Sequence, residues 1–248
     1  MEGQMVQPKR ILGICGSAKK AHSSSEFLLS EALSATEEGG AETKLVRLAD
    51  YKILPCRGCG LCMDNRHCPI LKDSTDELRL LFDECLQANG FIFSTPVYAF
   101  TLPSLWANWV QRCGPVTDQD LAYRYYGYDT AREVKGKAFK GKTTGLIAVA
   151  ASLGHEAVWS ALTPLFTCYQ MNIVASVSMS LFEYDGQPHI RAARWSKDIH
   201  QADFAIRMAR AVGSRVVESI ELIQHIRSGG KKPELQPEKQ AGMAPAPS

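Results

Sequence analysis

Four cysteines, each able to supply a thiolate, lie within one stretch of thirteen residues. They are separated by two, two and five residues: Cys56, Cys59, Cys62 and Cys68. Two consecutive C-x2-C steps bring three sulfurs around one small volume, and Gly58 and Gly60 let the backbone between them turn tightly. Because a [4Fe–4S] cluster is held by four thiolates, this spacing predicts an iron–sulfur site.

Structural zinc and unliganded thiols are the alternatives for this loop. Zinc sites commonly use two C-x2-C pairs separated by a longer spacer, whereas three cysteines in C-x2-C-x2-C favour iron–sulfur. The other four cysteines lie in apolar or helical segments and are expected to be small buried hydrophobic residues. They are Cys15, Cys85, Cys113 and Cys168.

The composition predicts a soluble globular protein of the cytoplasm. Hydrophobic residues make up 45% of the 248 residues, enough for one sizeable domain. The net charge of +2, from 28 basic and 26 acidic residues, gives no electrostatic reason to expect nucleic acid or a membrane surface as partner. No apolar run approaches the ~20 residues of a membrane span, and residues 1–10 do not resemble a signal peptide. Clustered cysteines in such a chain favour metal or redox chemistry over disulfides.

Five short apolar segments that suit strands alternate with segments of helical periodicity. We expect the strands at residues 11–15, 43–48, 91–95, 145–150 and 173–179. We expect the helices at residues 26–33, 74–87, 102–113, from about 156, and 196–226. The second helix would open with the capping box Ser74-Thr75-Asp76-Glu77. This alternation predicts an α/β protein with a doubly wound, five-stranded parallel sheet and helices on both faces.

The domain organisation follows from the same pattern. Residues 10–227 are expected to form a single domain that carries the cysteine loop 56–68. Residues 114–142 are longer than a normal connection and contain four tyrosines, so we interpret them as an insertion or a partner-facing excursion. Residues 228–248 are rich in proline, glycine, lysine and glutamate, which predicts a disordered tail.

The loops after the first, third and fourth strands are candidate ligand sites, because ligands of parallel sheets bind beyond the carboxyl ends of the strands. Residues 16–25 offer serine hydroxyls, a lysine and a helix N-terminus, as a phosphate monoester requires, although the serines could simply cap the helix. Dinucleotide and P-loop motifs are absent. Residues 95–100 and 151–156 could flank an aromatic ring, or could be ordinary turns with His155 supporting the backbone.

Several short motifs occur together in a characteristic order. They are Gly16-Ser17-x-Lys19, Ser24-Ser25-Glu26, Cys56-x2-Cys59-x2-Cys62, Thr95-Pro96-Val97-Tyr98 and the turn at 152–156. With these motifs the chain resembles the NADPH-dependent FMN reductase superfamily, and within it the iron–sulfur flavoproteins. The resemblance covers about residues 10–226. It departs at Lys19, where arginine is usual, at Ser24-Ser25, where Asn-Thr is common, and at Gln111-Arg112, where Asp-Arg is frequent.

The resemblance implies a flavodoxin-like, three-layer αβα fold with strand order 2-1-3-4-5 and FMN at the sheet edge. By position, five residues would hold the FMN phosphate: Ser17, Lys19, Ser23, Ser24 and Ser25. The segments 96–100 and 151–155 would flank the isoalloxazine, and the implied cofactor residues there are Thr95, Pro96, Val97, Tyr98, Ala99, Phe100, Ala151, Ser152, Gly154 and His155. A homodimer or homotetramer is also implied.

The sequence therefore predicts an FMN-dependent oxidoreductase with a [4Fe–4S] cluster. Electrons would pass between NAD(P)H or reduced ferredoxin and a small-molecule or protein acceptor. We assign no catalytic acid or base, because electron or hydride transfer at a flavin does not require one. The alternatives are a noncatalytic redox carrier or sensor, and a cluster-free NAD(P)H:quinone or flavin reductase whose cysteine loop binds zinc.

Overall fold

A computed structural model describes residues 9–61, 68–113, 139–181 and 199–229 of the chain. Within these ranges the strands are β1 (Arg10–Cys15), β2 (Glu42–Arg47), β3 (Gly90–Pro96), β4 (Thr143–Ala150) and β5 (Asn172–Ser180). The α-helices are α1 (Ser24–Glu38), α2 (Leu78–Gln87), α3 (Ser104–Arg112), α4 (His155–Cys168) and α5 (Asp203–Arg227). All five strands pair in parallel in the order β2-β1-β3-β4-β5, which confirms the predicted flavodoxin-like fold.

The sheet is covered on both faces, and successive residues of the central strands pack into opposite cores. Ile11 and Cys15 of β1 pack with α1 and α5, whereas Leu12 and Ile14 pack with α2, α3 and α4. Strands β1, β3 and β4 are almost wholly buried, which explains their nearly continuous apolar sequences. The edge strand β2 buries only Val46, and its sequence is accordingly more polar.

The capping box predicted at Ser74 is wrong, because the helix begins four residues later, at Leu78. The Asp73 carboxylate instead accepts hydrogen bonds from the Thr75 backbone N–H (2.9 Å) and hydroxyl (2.8 Å). These bonds form an Asx-type turn and lower the pKa of Asp73. The Glu77 carboxylate accepts the Lys52 N–H at 2.7 Å, so it binds a distant segment instead of capping its own helix.

The last helix is also shorter at its start than predicted. Ile199–Gln201 forms a 3₁₀ turn, and α5 begins at Asp203. Within the described ranges, no helix is long and apolar enough to cross a membrane. Residues 114–138, which make up most of the predicted insertion, and 230–248 of the predicted tail lie outside the described residues. The domain limits therefore stay a prediction.

Phe139, near the end of the predicted insertion, belongs to the core. Phe139 is buried and contacts the rings of Phe91 and Tyr169 at centroid distances of 5.6 and 5.5 Å. Beside it, the Lys142 ammonium donates hydrogen bonds to the carbonyls of Cys85 (2.7 Å) and Leu86 (2.8 Å) near the end of α2. Burial lowers the pKa of Lys142 from 10.5 to about 8.

Lys142 should make stability depend on pH in a defined direction. Between pH 8 and 10.5 the unfolded lysine holds its proton more tightly than the folded one, so the free energy of unfolding rises with pH in this window. We expect wild type to gain about 1 kcal/mol relative to Lys142→Met between pH 7.5 and 9, measured by urea unfolding. Ionisation of the cysteines contributes to both proteins, so it cancels when one free energy of unfolding is subtracted from the other.

The matched control is Lys140→Met, because Lys140 is exposed and lies two residues away. This variant should keep the wild-type dependence on pH. An equal pH dependence in wild type and Lys142→Met would contradict the prediction.

Candidate functional site

A pocket of about 190 Å³ lies at the carboxyl edge of the sheet. It is bounded by the residues that follow β1, by the start of α1, and by the ends of β3, β4 and β5. Its lining residues are Ser17, Lys19, Ser23, Ser24, Ser25, Pro96, Val97, Tyr98, Val149, Ala150, Ala151 and Leu181. The structure thus gathers residues from three predicted loops around one pocket, as expected for a parallel sheet.

The polar end of the pocket is formed by the loop between β1 and α1. Ser23 caps α1, its hydroxyl accepting the Glu26 N–H at 3.3 Å, and it lies 3.1 Å from the Ser25 hydroxyl. The Ser17 hydroxyl accepts the Lys19 N–H at 3.2 Å. Ser17, Ser23 and Ser25 are buried, whereas Lys19 is exposed. Hydroxyls, an ammonium group and a helix N-terminus therefore converge at this end.

Ser25 is also tied to the neighbouring strand β3. The Ser94 hydroxyl donates to the Ser25 carbonyl at 2.7 Å, and the Ser94 carbonyl accepts the Gly16 N–H at 2.8 Å. These bonds link the end of β3 to both ends of the loop formed by residues 16–25, which we call the serine loop. Ser23 therefore caps the helix and lines the pocket as well, so the two interpretations of the loop are compatible.

The opposite wall comes from the end of β3 and the tight turn after it. Tyr98 and Thr101 exchange two backbone hydrogen bonds of 3.1 and 3.0 Å, so Ala99 and Phe100 form a two-residue turn. Both have positive φ, 47° and 61°, which is strained for residues other than glycine. The Tyr98 hydroxyl lies 3.4 Å from the Ser17 hydroxyl and so bridges the two walls.

Six of the predicted residues in this segment and the next do not line the pocket: Thr95, Ala99, Phe100, Ser152, Gly154 and His155. Thr95 is buried, and its hydroxyl donates to the Pro96 carbonyl at 2.9 Å. Ala99 and Phe100 are exposed, Phe100 to 68%. His155 is buried at the start of α4 with Nε2 3.1 Å from the Met179 carbonyl, so it supports the backbone as the sequence suggested.

The loop after β4 approaches the Tyr98–Thr101 turn closely. Gly154 has a φ of 98°, and a Cβ there would lie 2.7 Å from the Val97 side chain and 3.0 Å from the Phe100 Cα. Ala151 lines the pocket, whereas Ser152 is exposed and its carbonyl accepts the Ser180 hydroxyl at 3.0 Å. Gly154 therefore sets the spacing between the two loops instead of lining the pocket.

Three lining residues were missed by the sequence analysis: Val149, Ala150 and Leu181. Val149 and Ala150 are the last residues of β4, and Leu181 directly follows β5, with its N–H bonded to the Ala150 carbonyl at 3.1 Å. Their position in the fold could have indicated them. Every strand of a parallel sheet ends at the same edge, so residues at the ends of the fourth and fifth strands also face the site.

The cysteine loop follows β2 and a short 3₁₀ turn, and therefore leaves the sheet at the edge that carries the pocket. Cys56 and Cys59 are exposed, and Cys68 is buried at the start of the 3₁₀ helix Pro69–Lys72. The Gly58 N–H donates to the Cys56 sulfur at 3.4 Å. Gly58 and Gly60 have φ of 62° and 70° with open space around them, so the backbone turn itself requires glycine.

Cys62 lies outside the described residues, so the structure places three of the four predicted ligands. Among the described residues, no group of three or more Cys, His, Asp or Glu side chains is close enough to hold a metal ion. The thiol set has the chemistry of an iron–sulfur site, but these three sulfurs do not converge. The metal ligands therefore stay a prediction.

The remaining cysteines are mostly as expected. Cys15, Cys85 and Cys113 are buried, and burial raises the pKa of each thiol, to about 12 for Cys85. These neutral thiols act as small hydrophobic residues. The prediction for Cys168 is wrong, because it is exposed in the last position of α4. The helical periodicity alone did not reveal which face of α4 it occupies.

A flavodoxin-like sheet with a pocket beyond its carboxyl ends defines a class of ligand-binding α/β proteins. Residues 9–185 match the family described as NADPH-dependent FMN reductase. The chain belongs to this family and is a flavin-dependent oxidoreductase.

Curated relatives carry a more specific name. The chain is 28% identical over 221 residues to an iron–sulfur flavoprotein of Methanocaldococcus jannaschii, covering 87% of this chain and 99% of the relative. An iron–sulfur flavoprotein of Archaeoglobus fulgidus is 29% identical over 221 residues, with 87% and 100% covered. These relatives match essentially along their whole lengths.

Solved structures share the fold. A flavone reductase superposes with a TM-score of 0.63 at 22% identity, covering 87% of this chain and 64% of that chain. An FMN-dependent NADH-azoreductase of Bacillus anthracis, solved with FMN, gives a TM-score of 0.54 at 13% identity, with 84% and 99% covered. At these identities the likeness supports the fold alone.

Replacing Gly154 by alanine tests the spacing between the two pocket loops. Gly154→Ala combines the strain of a positive φ with overlap against Val97 and Phe100, so we expect a loss of about 3 kcal/mol in the free energy of unfolding. Gly40→Ala is the matched control, because Gly40 has a φ of 77° with nothing within 4 Å. It should lose only about 1 kcal/mol. Equal losses for the two variants in urea unfolding would show that overlap with Val97 and Phe100 adds nothing to the cost of the substitution.

Proposed function

We propose that this flavin-dependent oxidoreductase binds FMN in the sheet-edge pocket and a [4Fe–4S] cluster on Cys56, Cys59, Cys62 and Cys68. It would pass electrons between NAD(P)H or reduced ferredoxin and a small-molecule or protein acceptor. One observation carries the proposal: the pocket and the cysteine loop both follow carboxyl ends of strands in the same parallel sheet. The names of the two curated relatives support it.

The polar end of the pocket suits the FMN phosphate. The hydroxyls of Ser17, Ser23, Ser24 and Ser25 would donate hydrogen bonds, and the exposed Lys19 would supply a positive charge. The first-turn amides of α1 add to this set, because the first four N–H groups of a helix lack intrahelical acceptors. Lysine provides charge without the bidentate fork of arginine, so the serines would supply most of the directional bonds.

The apolar end suits a flat ring system. Pro96, Val97 and Tyr98 form one wall, and Val149, Ala150, Ala151 and Leu181 contribute small or aliphatic surface. The tight Ala99–Phe100 turn and the close approach at Gly154 hold this wall in place. These residues would orient the ring and exclude water from one side of it.

When bound, FMN would accept a hydride or single electrons, and the cluster would carry one electron at a time. The role of this chain is then to bind, orient and shield. The N–H of Gly58 donates to the Cys56 sulfur at 3.4 Å and would orient it as a cluster ligand. We assign no catalytic acid or base among the pocket residues.

Anaerobic purification followed by absorbance and metal analysis tests both cofactors. We expect flavin bands together with about four iron and four acid-labile sulfide per chain. Cys59→Ala should lose iron and sulfide and keep FMN, because the thiols and the pocket lie on different loops. Cys168→Ala is the control, since this exposed thiol lies on α4 outside the loop, and it should keep both cofactors.

Two results would contradict the proposal. Stoichiometric zinc without sulfide would instead identify the zinc-containing reductase. Loss of FMN together with the cluster in Cys59→Ala would show that the two sites are not independent.

The electron donor is tested by anaerobic mixing with NADPH. We expect the visible absorbance of the flavin to bleach, since the family is described as NADPH-dependent. Dithionite provides the control for complete reduction. A flavin that dithionite bleaches and NADPH does not would shift the assignment to a ferredoxin-fed protein.

Two further features stay predictions of the resemblance. A homodimer or homotetramer is supported by the exposed Phe100 and Leu153 beside the pocket, and a monomer in sedimentation velocity would overturn it. A cytoplasmic location is supported by the need of the thiols for a reducing compartment, and fractionation would test it.

A further inference from the structure

The segment that enters the cysteine loop is held by side chains instead of by a strand. Asp76 Oδ1 accepts the Leu54 N–H at 3.0 Å, and Arg112 Nη1 donates to the Leu54 carbonyl at 2.9 Å. Asn108 Nδ2 donates to the Ile53 carbonyl at 3.1 Å. Asp76, Asn108 and Arg112, which we call the clamp, thus bind the backbone just before Cys56.

The centre of the clamp is a buried ion pair. Arg112 Nη1 lies 2.9 Å from Asp76 Oδ1 and Nη2 lies 3.0 Å from Asp76 Oδ2, a bidentate geometry, and both side chains are 0% exposed. Burying two charges is costly, and apolar residues of similar volume often give equal or greater stability. Stability alone therefore does not explain the pair. The ion pair also forms hydrogen bonds with both polar backbone groups of Leu54, which an apolar pair could not do.

The clamp joins three parts of the chain whose relative position matters for the proposed function: the two ends of the cysteine loop and the helix α3. Leu54 lies two residues before Cys56, and Asp76 lies eight residues after Cys68, so the two ends of the cysteine loop meet at the ion pair. Arg112 is the last residue of α3, the helix that follows the Tyr98–Thr101 turn beside the pocket. A hydrogen-bonded connection therefore runs from the carboxyl-terminal half of α3 to the entry of the cysteine loop.

We propose that Arg112 and Asp76, aided by Asn108, are positioning residues that hold both ends of the cysteine loop against α3 and so set its place beside the flavin pocket. In this role they act through the backbone of Ile53 and Leu54. This inference rests on the proposed function only for the identity of what the loop carries. The clamping of the loop can be measured whether or not a cluster is present.

The test compares wild type with the double variant Asp76→Leu/Arg112→Met, which removes both charges at once and leaves neither one buried alone. We expect backbone amides of residues 52–61 to exchange hydrogen at least tenfold faster by mass spectrometry, with the exchange of β1, β3 and β4 unchanged. In anaerobically purified protein, iron and sulfide per chain should fall by more than half while FMN is retained. Arg112→Lys should give an intermediate exchange rate, because one ammonium cannot serve both carboxylate oxygens and the Leu54 carbonyl.

Two comparisons keep the test decisive. Ile220→Ala truncates the core on the opposite face of the sheet, and it should lower the unfolding temperature without changing exchange in residues 52–61. If the double variant does not fold, Asn108→Leu keeps the ion pair and removes only the donor to Ile53. It should still speed local exchange and shift the cluster reduction potential, with FMN affinity unchanged.

If backbone amides of residues 52–61 exchange hydrogen in the variants at the same rate as in wild type, the inference is overturned. Acceleration spread equally over the whole sheet would also overturn it, and would assign the clamp to general stability. Wild-type protein without iron would refute the proposed function, and the exchange measurement would still decide the role of the clamp.

Discussion

All five strands run in the same direction, and this constraint determines where the chemistry of the molecule can lie. Each strand delivers the following loop to one edge, so the serine loop, the Tyr98–Thr101 turn and the loop after β4 meet there. Helices cover both faces and leave that edge open. Loops that are far apart in sequence can therefore surround one ligand without any change to the core, which explains why function in such sheets concentrates beyond the carboxyl ends.

Local sequence was sufficient for the strands, because each is a short apolar run that ends in a turn. The same was true of the serine loop, whose hydroxyls and helix start are consecutive in the chain. Elsewhere local sequence was not sufficient, because side chains bind partners that are far away in the chain. Ser74-x-x-Glu77 has the pattern of a capping box, but the Glu77 carboxylate binds Lys52, and Asp73 captures the Thr75 N–H. A pattern cannot reveal that a side chain has a better acceptor or donor twenty-five residues away.

The same limit applies to the residues that hold the cysteine loop. The sequence places Asp76 in a capping-box pattern, and Arg112 in a motif where the preceding Gln111 departs from the family's Asp-Arg. Their importance depends on burial and on the distance to Leu54, which no local spacing encodes. Pocket residues such as Val149 and Ala150 were hidden for a related reason, because an apolar residue at the end of a buried strand looks like any other core residue.

Charged groups inside this protein are used where the backbone lacks a partner. Lys142 binds the last carbonyls of α2, and Arg112 with Asp76 binds the two polar groups of Leu54. In each case the charge replaces a hydrogen bond that regular secondary structure would have supplied. The cost of burial is thereby offset by satisfying groups whose isolation would itself be destabilising.

The meeting of Leu54 and Asp76 has a topological consequence for the chain between them. Since Leu54 and Asp76 are bonded to each other, the chain leaves the fold and rejoins it at one place. Lengthening a flexible segment between two such fixed ends costs little closure entropy, about 0.6 kcal/mol for each doubling in length. A change in the number of residues between these ends therefore leaves the contacts of Leu54 with Asp76 and Arg112 in place.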